Sequence, residues 1–357
     1  MKECVLVTGG AGFIGSAISK FLVEGRHTVV AIDSFLSQVH PTGTKSEFLH
    51  PEVVLLKRDV SERDTWEEFL DQYTPTIVVH LAAETGTAQS LTESVRHSKV
   101  NVLGTSEMLD AFARRAIKPE RIVLASSRAV YGEGLWLDQA EDKTFLPEPR
   151  SHAQLAASKW DPLSPYGGKV EALKHDASTT PPNPTSIYGA TKLTQEHILK
   201  AWCGAFGVPL SVLRLQNVYG EGQSPHNSYT GIINIFHKLA YAKESIPVYE
   251  DGEIIRDFVH IDDVAKAIVA AVNGAADQLG PVDVGTGRPT SILEAARIIA
   301  AMHGAPEPAI CGKFRDGDVR SASADISALK AIGVEPSVSF EEGSERVGGW
   351  LISRGYI

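Results

Sequence analysis

The chain opens on an apolar run, Val5-Leu6-Val7-Thr8, that meets glycines at 9, 12 and 15 and passes straight into a helical pattern. Few folds place a strand, a glycine turn and a helix in that order. The first glycine permits a tight turn, the second lets the backbone approach a pyrophosphate, and the third lets the helix pack close to the sheet. The helix N-terminus then faces phosphate with free N–H groups and its positive dipole end. Gly9, Gly12, Phe13, Ile14 and Gly15 are therefore the expected phosphate cradle. A second apolar run, Val29-Val30-Ala31-Ile32, ends in Asp33, about 24 residues after Gly9. A carboxylate there accepts both ribose hydroxyls of an adenosine and repels a 2′-phosphate. No cation follows in Ser34-Phe35-Leu36, which favours NAD over NADP.

The opening pattern repeats. Strands are expected at 4–8, 28–32, 53–56, 76–80 and 121–125, with helical stretches at 13–24, 62–72 and 92–116 between them. Strand-helix alternation implies an α/β fold, a Rossmann-type doubly wound parallel sheet. Asp59 and Val60 close the third strand, with Asp59 placed for an adenine amino group. Leu81-Ala82-Ala83 ends the fourth with small residues that leave room for the middle of a dinucleotide. The segment 133–185 breaks the alternation with seven prolines between Pro147 and Pro184, and reads as an irregular insertion, a lid or a mobile stretch. His152 and His175 within it read as solvated loop residues. A helix at 188–206 and a strand at 210–215 resume the pattern. The division expected is a dinucleotide-binding domain over 1–216, with later segments returning to its sheet. A smaller mixed α/β domain over 217–357 would bind substrate.

A net charge of −10 argues against a nucleic-acid binder, which needs basic stripes to neutralise phosphates. No apolar run is long enough to span a bilayer, and the first strand begins at the N-terminus, leaving no room for a signal peptide. Cys4, Cys203 and Cys311 are scattered and odd in number, which suggests a reducing cytoplasm and neither a disulfide framework nor a metal site.

Two later motifs carry chemistry: Ser126-Ser127-Arg128-Ala129-Val130-Tyr131-Gly132 and Tyr188-Gly189-Ala190-Thr191-Lys192. Oxidising a secondary alcohol with NAD requires a base for the hydroxyl proton. A phenol with its ordinary pKa near 10 is a poor base at neutral pH. A lysine four residues on along a helix lies on the same face, and its charge favours the phenolate. That is the expected pairing of Tyr188 and Lys192. Ser127 would hold the reacting oxygen, and Ser126 would support the backbone and the cofactor amide.

Together with the glycine turn, these motifs resemble the extended short-chain dehydrogenase/reductase family, and within it the nucleotide-sugar epimerases and dehydratases. The resemblance continues through Leu213-Arg214-Leu215-Gln216-Asn217-Val218-Tyr219-Gly220, Arg256-Asp257-Phe258-Val259-His260 and Phe314-Arg315-Asp316-Gly317-Asp318. It implies that Ser34 and Asn101 join the cofactor site. It further implies substrate contacts from Thr85, Gly86, Thr87, Ser127, Arg128, Asn217, Tyr229, Thr230, Arg256, Arg315 and Asp318, with Arg256 and Arg315 clamping a nucleotide diphosphate. Relatives that eliminate water or decarboxylate carry an acid between the serine and Tyr131, and 3,5-epimerases carry a cysteine. Arg128-Ala129-Val130 offers neither.

The resemblance therefore implies 4-epimerisation through a transient 4-keto sugar, with a 4-ketoreductase or dehydrogenase as the alternative. A 4,6-dehydratase and a non-catalytic binding protein are weaker readings. The wording of 84–90, 125–134 and 223–232 is similar to the group of dTDP-L-rhamnose and UDP-hexose 4-epimerases. A dTDP- or UDP-linked substrate and a homodimer follow from that likeness, as does space beside Ala322 for a bulky group at the sugar C2.

Overall fold

A computed structural model describes residues 1–357 apart from 42, 44, 226–230 and 278–279. Seven parallel strands form the central sheet: β1 Lys2–Thr8, β2 Val29–Asp33, β3 Val54–Lys57, β4 Tyr73–His80, β5 Arg121–Ser127, β6 Leu210–Leu215 and β7 Val282–Val284. Their spatial order is β7-β6-β5-β4-β1-β2-β3. The order reverses between β1 and β4, and in open α/β sheets ligands bind in the crevice at that switch point, beyond the carboxyl ends of the strands. The register staggers those ends: Thr8 lies opposite Ile32 and His80, His80 opposite Leu124, and β5 runs three residues further to Ser127, opposite Leu215.

Both faces of the sheet are dry. Val5, Val7, Val79 and Leu213 pack on one side against Ile18 and Leu22 of the helix Phe13–Glu24, with Val264 and Ile268 of the helix Ile261–Val272. Leu6, Val78 and Leu124 pack on the other against Trp66, Phe69, Met108 and Phe112. The chain after 217 therefore does not form one separate body, since Ile261–Val272 and β7 belong to the sheet's core. A second core lies between the helices Ile232–Tyr241, Ile292–His303 and Phe340–Ser353, around Phe236, Ile299, Val347 and Leu351.

Two expectations need correction. The stretch 92–116 is not one regular helix: Ser94–Ser98 and Gly104–Arg114 are joined by a π-helical turn at Lys99–Leu103. Such turns recur at functional sites, and this one carries the buried Asn101. The insertion is not wholly irregular. Trp136–Asp138 pairs antiparallel with Lys143–Phe145 and Val170–Ala172, and a short helix spans His152–Ala156. His152 is exposed, but His175 is only 1% accessible, with its ring 4.6 Å from that of Tyr131. Backbone bonds to Ser323 and Asp325 fix it there, and burial holds its imidazole at a pKa of about 3.

Candidate active site

A cavity of about 640 Å³ runs along the carboxyl edge of the sheet. Its first half is the glycine turn. A Cβ on Gly9, where φ is +67°, would lie 2.9 Å from the Ala82 nitrogen, and one on Gly15 would lie 2.6 Å from Gly10. Larger residues would fill the cradle. Gly12 caps the helix Phe13–Glu24 with no side-chain acceptor, so the first N–H groups remain for an anion. Phe13, Ile14, Ser34, Val60, Leu81, Ala82 and Ala83 complete this wall.

Asp33 sits at the end of β2, where it accepts from the N–H groups of Ala11 (3.0 Å) and Phe35 (2.9 Å). Those bonds fix its carboxylate at the cavity edge. Asp59 also lines the cavity, with one oxygen held by the N–H (2.9 Å) and hydroxyl (2.7 Å) of Ser61. These residues fit a dinucleotide without a 2′-phosphate. Asn101 stands apart, because it does not line the cavity. Its amide accepts from the Glu84 N–H (2.8 Å) and donates to the Glu84 carbonyl (3.0 Å) and the Thr191 hydroxyl (2.9 Å). It holds the Glu84-Thr85-Gly86-Thr87 stretch in place from behind. Gln89 from this side and Gln38 from the adenosine side exchange amide bonds of 3.1 Å, and Arg96 adds a third bond to Gln38.

The proton-transfer groups meet at the centre. Tyr188 and Lys192 occupy the first turns of the helix Ile187–Phe206, which Ser186 caps by accepting from the Gly189 N–H. Ser127 closes β5 and lines the same cavity as Tyr188, and its hydroxyl accepts from the Ala129 N–H at 3.1 Å. Burial raises the Tyr188 pKa, while Ser127 and the charge of Arg128 pull against that rise. Lys192 behaves differently from the expectation. Its Nζ donates to Gln195 Oε1 at 2.5 Å, and burial depresses its pKa to about 7. Gln195 in turn donates to Thr105 (2.9 Å) and contacts His80 (3.2 Å), whose other nitrogen meets Thr8 (2.7 Å). The charge of Arg128 also reaches the phenol. Ser126 also departs from its expected role: its hydroxyl donates to Glu196 at 2.5 Å, and Glu196 accepts two bonds from Arg214.

Beyond Ser127 the cavity is cationic. Arg128 donates from Nε to Asn217 Oδ1 (2.9 Å), and among the described residues this is its one hydrogen bond. Burial and repulsion from Arg256 lower its pKa to about 9. A half-buried guanidinium with only an amide partner among the described residues favours an anion in the space it faces. Arg256 pairs with Asp318 at 2.6 Å. Burial raises the Asp318 pKa, but Arg256 and Arg128 outweigh it and the net direction is down. Arg315 lies at the exposed rim, its guanidinium 5.3 Å above the Tyr249 ring. Thr85, Gly86 and Thr87 line the opposite wall. Tyr229 and Thr230 fall outside the described residues.

Nothing in the sequence points to His40, which lines the cavity 3.9 Å from Asp33, nor to Gln195 and Tyr249; none of the three belongs to a short motif. Ala322 does not hold the place expected of it. That residue is 1% accessible in the strand Ser321–Ala322, which pairs with Ile255–Arg256, and it takes no part in the cavity wall.

The model of the NAD dependent epimerase/dehydratase family matches residues 5–167 and 163–285. The dTDP-L-rhamnose 4-epimerase of Burkholderia thailandensis is 50% identical over 348 residues, covering 97% of this chain and 94% of its own. The UDP-glucose 4-epimerase of Thermus thermophilus in complex with NAD superposes with a TM-score of 0.77 at 28% identity, covering 99% of each chain. That of Thermotoga maritima with UDP-glucose also gives 0.77 at 28% identity, covering 98% of this chain and 99% of its own. With the glycine cradle, Ser127 and Tyr188, and the arginine cluster in one cavity, the chain belongs to the NAD-dependent epimerase/dehydratase family.

Proposed function

We propose that this NAD-dependent nucleotide-sugar 4-epimerase acts on a dTDP-linked 6-deoxyhexose. The reaction class rests on one observation above the others. Ser127 and Tyr188 line one cavity beside the cofactor cradle, and the three residues that follow Ser127 offer no second acid or base. Arg128 is tied to Asn217, and Val130 is buried. The choice of dTDP rests on the half-identical relative.

A bound NAD supplies a two-electron acceptor that takes hydride from C4 and returns it. The protein does the rest. Tyr188 accepts the C4 hydroxyl proton and later gives it back to the same oxygen. Ser127 holds that oxygen while it changes from hydroxyl to ketone. The Arg128 charge stabilises the phenolate during the cycle. Arg128, Asn217 and Arg256 provide donors for the diphosphate, which anchors the nucleotide while the 4-keto sugar turns over in the cavity. Arg315 would meet that diphosphate from the rim. Leu239, Pro247, Tyr249, Ile292 and Phe314 line an apolar end suited to the faces of a base.

The bridge from Gln38 to Gln89 and Arg96 joins the two walls of the adenosine side, which supports a cofactor kept through many turnovers. The same reading places the enzyme in the cytoplasm, supported by its free thiols, as a homodimer. Val95, 81% exposed, with Leu91 and Leu103, gives the stretch 91–103 an apolar surface for a second copy.

Incubation with UDP-, dTDP-, GDP- and CDP-sugars, without added cofactor and with products read by NMR, tests the proposal. Epimerisation of dTDP-L-rhamnose at C4 is the expected result. A need for stoichiometric NADH would instead assign a ketoreductase.

A further inference from the structure

The insertion reaches the substrate end of the cavity through one side chain. Arg150 lies in the 133–185 segment, and its side chain is 1% accessible. Its Nη2 donates to the backbone carbonyl of Asp318 at 2.9 Å. Its Nη1 donates to both carboxylate oxygens of Glu250, at 3.0 and 2.9 Å, and to the Trp160 carbonyl at 2.8 Å. Its Nε donates to Glu133 at 3.2 Å, and the other oxygen of Glu133 accepts the Arg320 backbone N–H at 2.8 Å. The stretch 318–320 is thus gripped by its backbone at both ends. Glu250 and Asp318 both line the cavity, and Asp318 is the partner of Arg256.

We infer that Arg150 is a positioning residue for the nucleotide diphosphate, fixing from behind the two segments that carry Asp318 and Tyr249-Glu250. The insertion is therefore the back wall of the substrate site. The inference rests on the diphosphate reading given above. A guanidinium suits the task because its planar fork reaches a carboxylate, a carbonyl and a second carboxylate at fixed angles. A lysine could keep the charge but not all of these bonds. Arg150 has no hydrogen bond to Ser127, Tyr188 or Lys192, so the proton-transfer geometry does not depend on it.

The test uses the full-length protein with its NAD and titrates dTDP by calorimetry. Arg150→Met should weaken dTDP binding about tenfold or more, and Arg150→Lys should recover part of the loss. With a turned-over dTDP-sugar the same variants should raise KM and leave kcat within about twofold, the pattern of lost ground-state and transition-state binding alike. NAD content should equal that of the native protein. Should Arg150→Met fail to fold, Arg150→Lys and Glu133→Gln decide, each expected to weaken dTDP severalfold. Native dTDP affinity in the folded variants would overturn the inference. So would an equal loss of NAD and dTDP, which marks a general structural role. Native protein that binds dTDP but epimerises no dTDP-sugar would contradict the reaction proposed above and leave the Arg150 comparison readable.

Discussion

In the proposed reaction, chemistry turns on Tyr188 and cofactor choice on Asp33. Tyr188→Phe keeps the ring in its half-buried place in the cavity wall and removes the oxygen that carries the proton. Turnover should fall by about 10²–10⁴-fold, the usual range for a lost general base, with NAD still bound. A near-native rate in that variant would remove Tyr188 from the mechanism. Asp33→Ala removes the carboxylate fixed by Ala11 and Phe35 at the ribose end, and should narrow the preference for NAD over NADP in a direct titration. An unchanged ratio would count against the assignment. For the clamp, Arg256→Ala removes charge-assisted bonds and also leaves Asp318 facing the diphosphate without its partner. A loss of about 1.5–3 kcal/mol, roughly 10- to 150-fold in dTDP affinity, is expected. Arg315→Ala should cost less, since that side chain is exposed and rests on Tyr249. Equal effects of the two would show that the rim and the buried cation are equivalent.

At the level of elements, the insertion is where burial and titration meet. His175 lies against Tyr131, whose hydroxyl donates to Asp283. The His175 pKa is about 3 folded and about 6.5 unfolded, so between those values the unfolded chain binds the extra proton. The stability this neutral histidine contributes is present above pH 6.5 and lost as pH falls toward 3. Asp283, raised to about 7 chiefly by burial, acts in the opposite sense between about pH 4 and 7. The two partly cancel in the native protein, so a difference between variants isolates His175. His175→Phe keeps a ring against Tyr131 without the titration. Between pH 6.5 and 5 it should lose about 2 kcal/mol less stability than the native protein in urea unfolding. Parallel losses would show that His175 does not stay neutral.

The elements also show what sequence alone could tell. The glycine turn, Asp33 and the Tyr188–Lys192 spacing were legible because each is local, a strand end or a single helical turn. The roles of Arg150 and Gln195 were not. Their partners lie far away in sequence, Glu250 for Arg150 and His80 for Gln195. The break at Lys99–Leu103 left no trace either, since a π-helical turn keeps an apolar pattern close to that of an ordinary helix.

For the molecule as a whole, one cavity along the carboxyl edge of the sheet brings together the glycine turn, Asp33, Ser127 and Tyr188. That edge is stepped: Thr8 lies opposite His80 and His80 opposite Leu124, and β5 runs on three residues further to Ser127, opposite Leu215. The 217–357 half supplies Asn217, Arg256 and Asp318 across the gap. In the proposed cycle hydride leaves C4 and returns to the same carbon on the opposite face without exchanging with solvent or with free cofactor. The most direct measurement is turnover of dTDP-L-rhamnose deuterated at C4, with no NAD or NADH added and the product followed by NMR. The account predicts the C4 epimer with deuterium retained at C4. Loss of the label to solvent, or a 4-keto product with deuterium left on the nicotinamide, would contradict it.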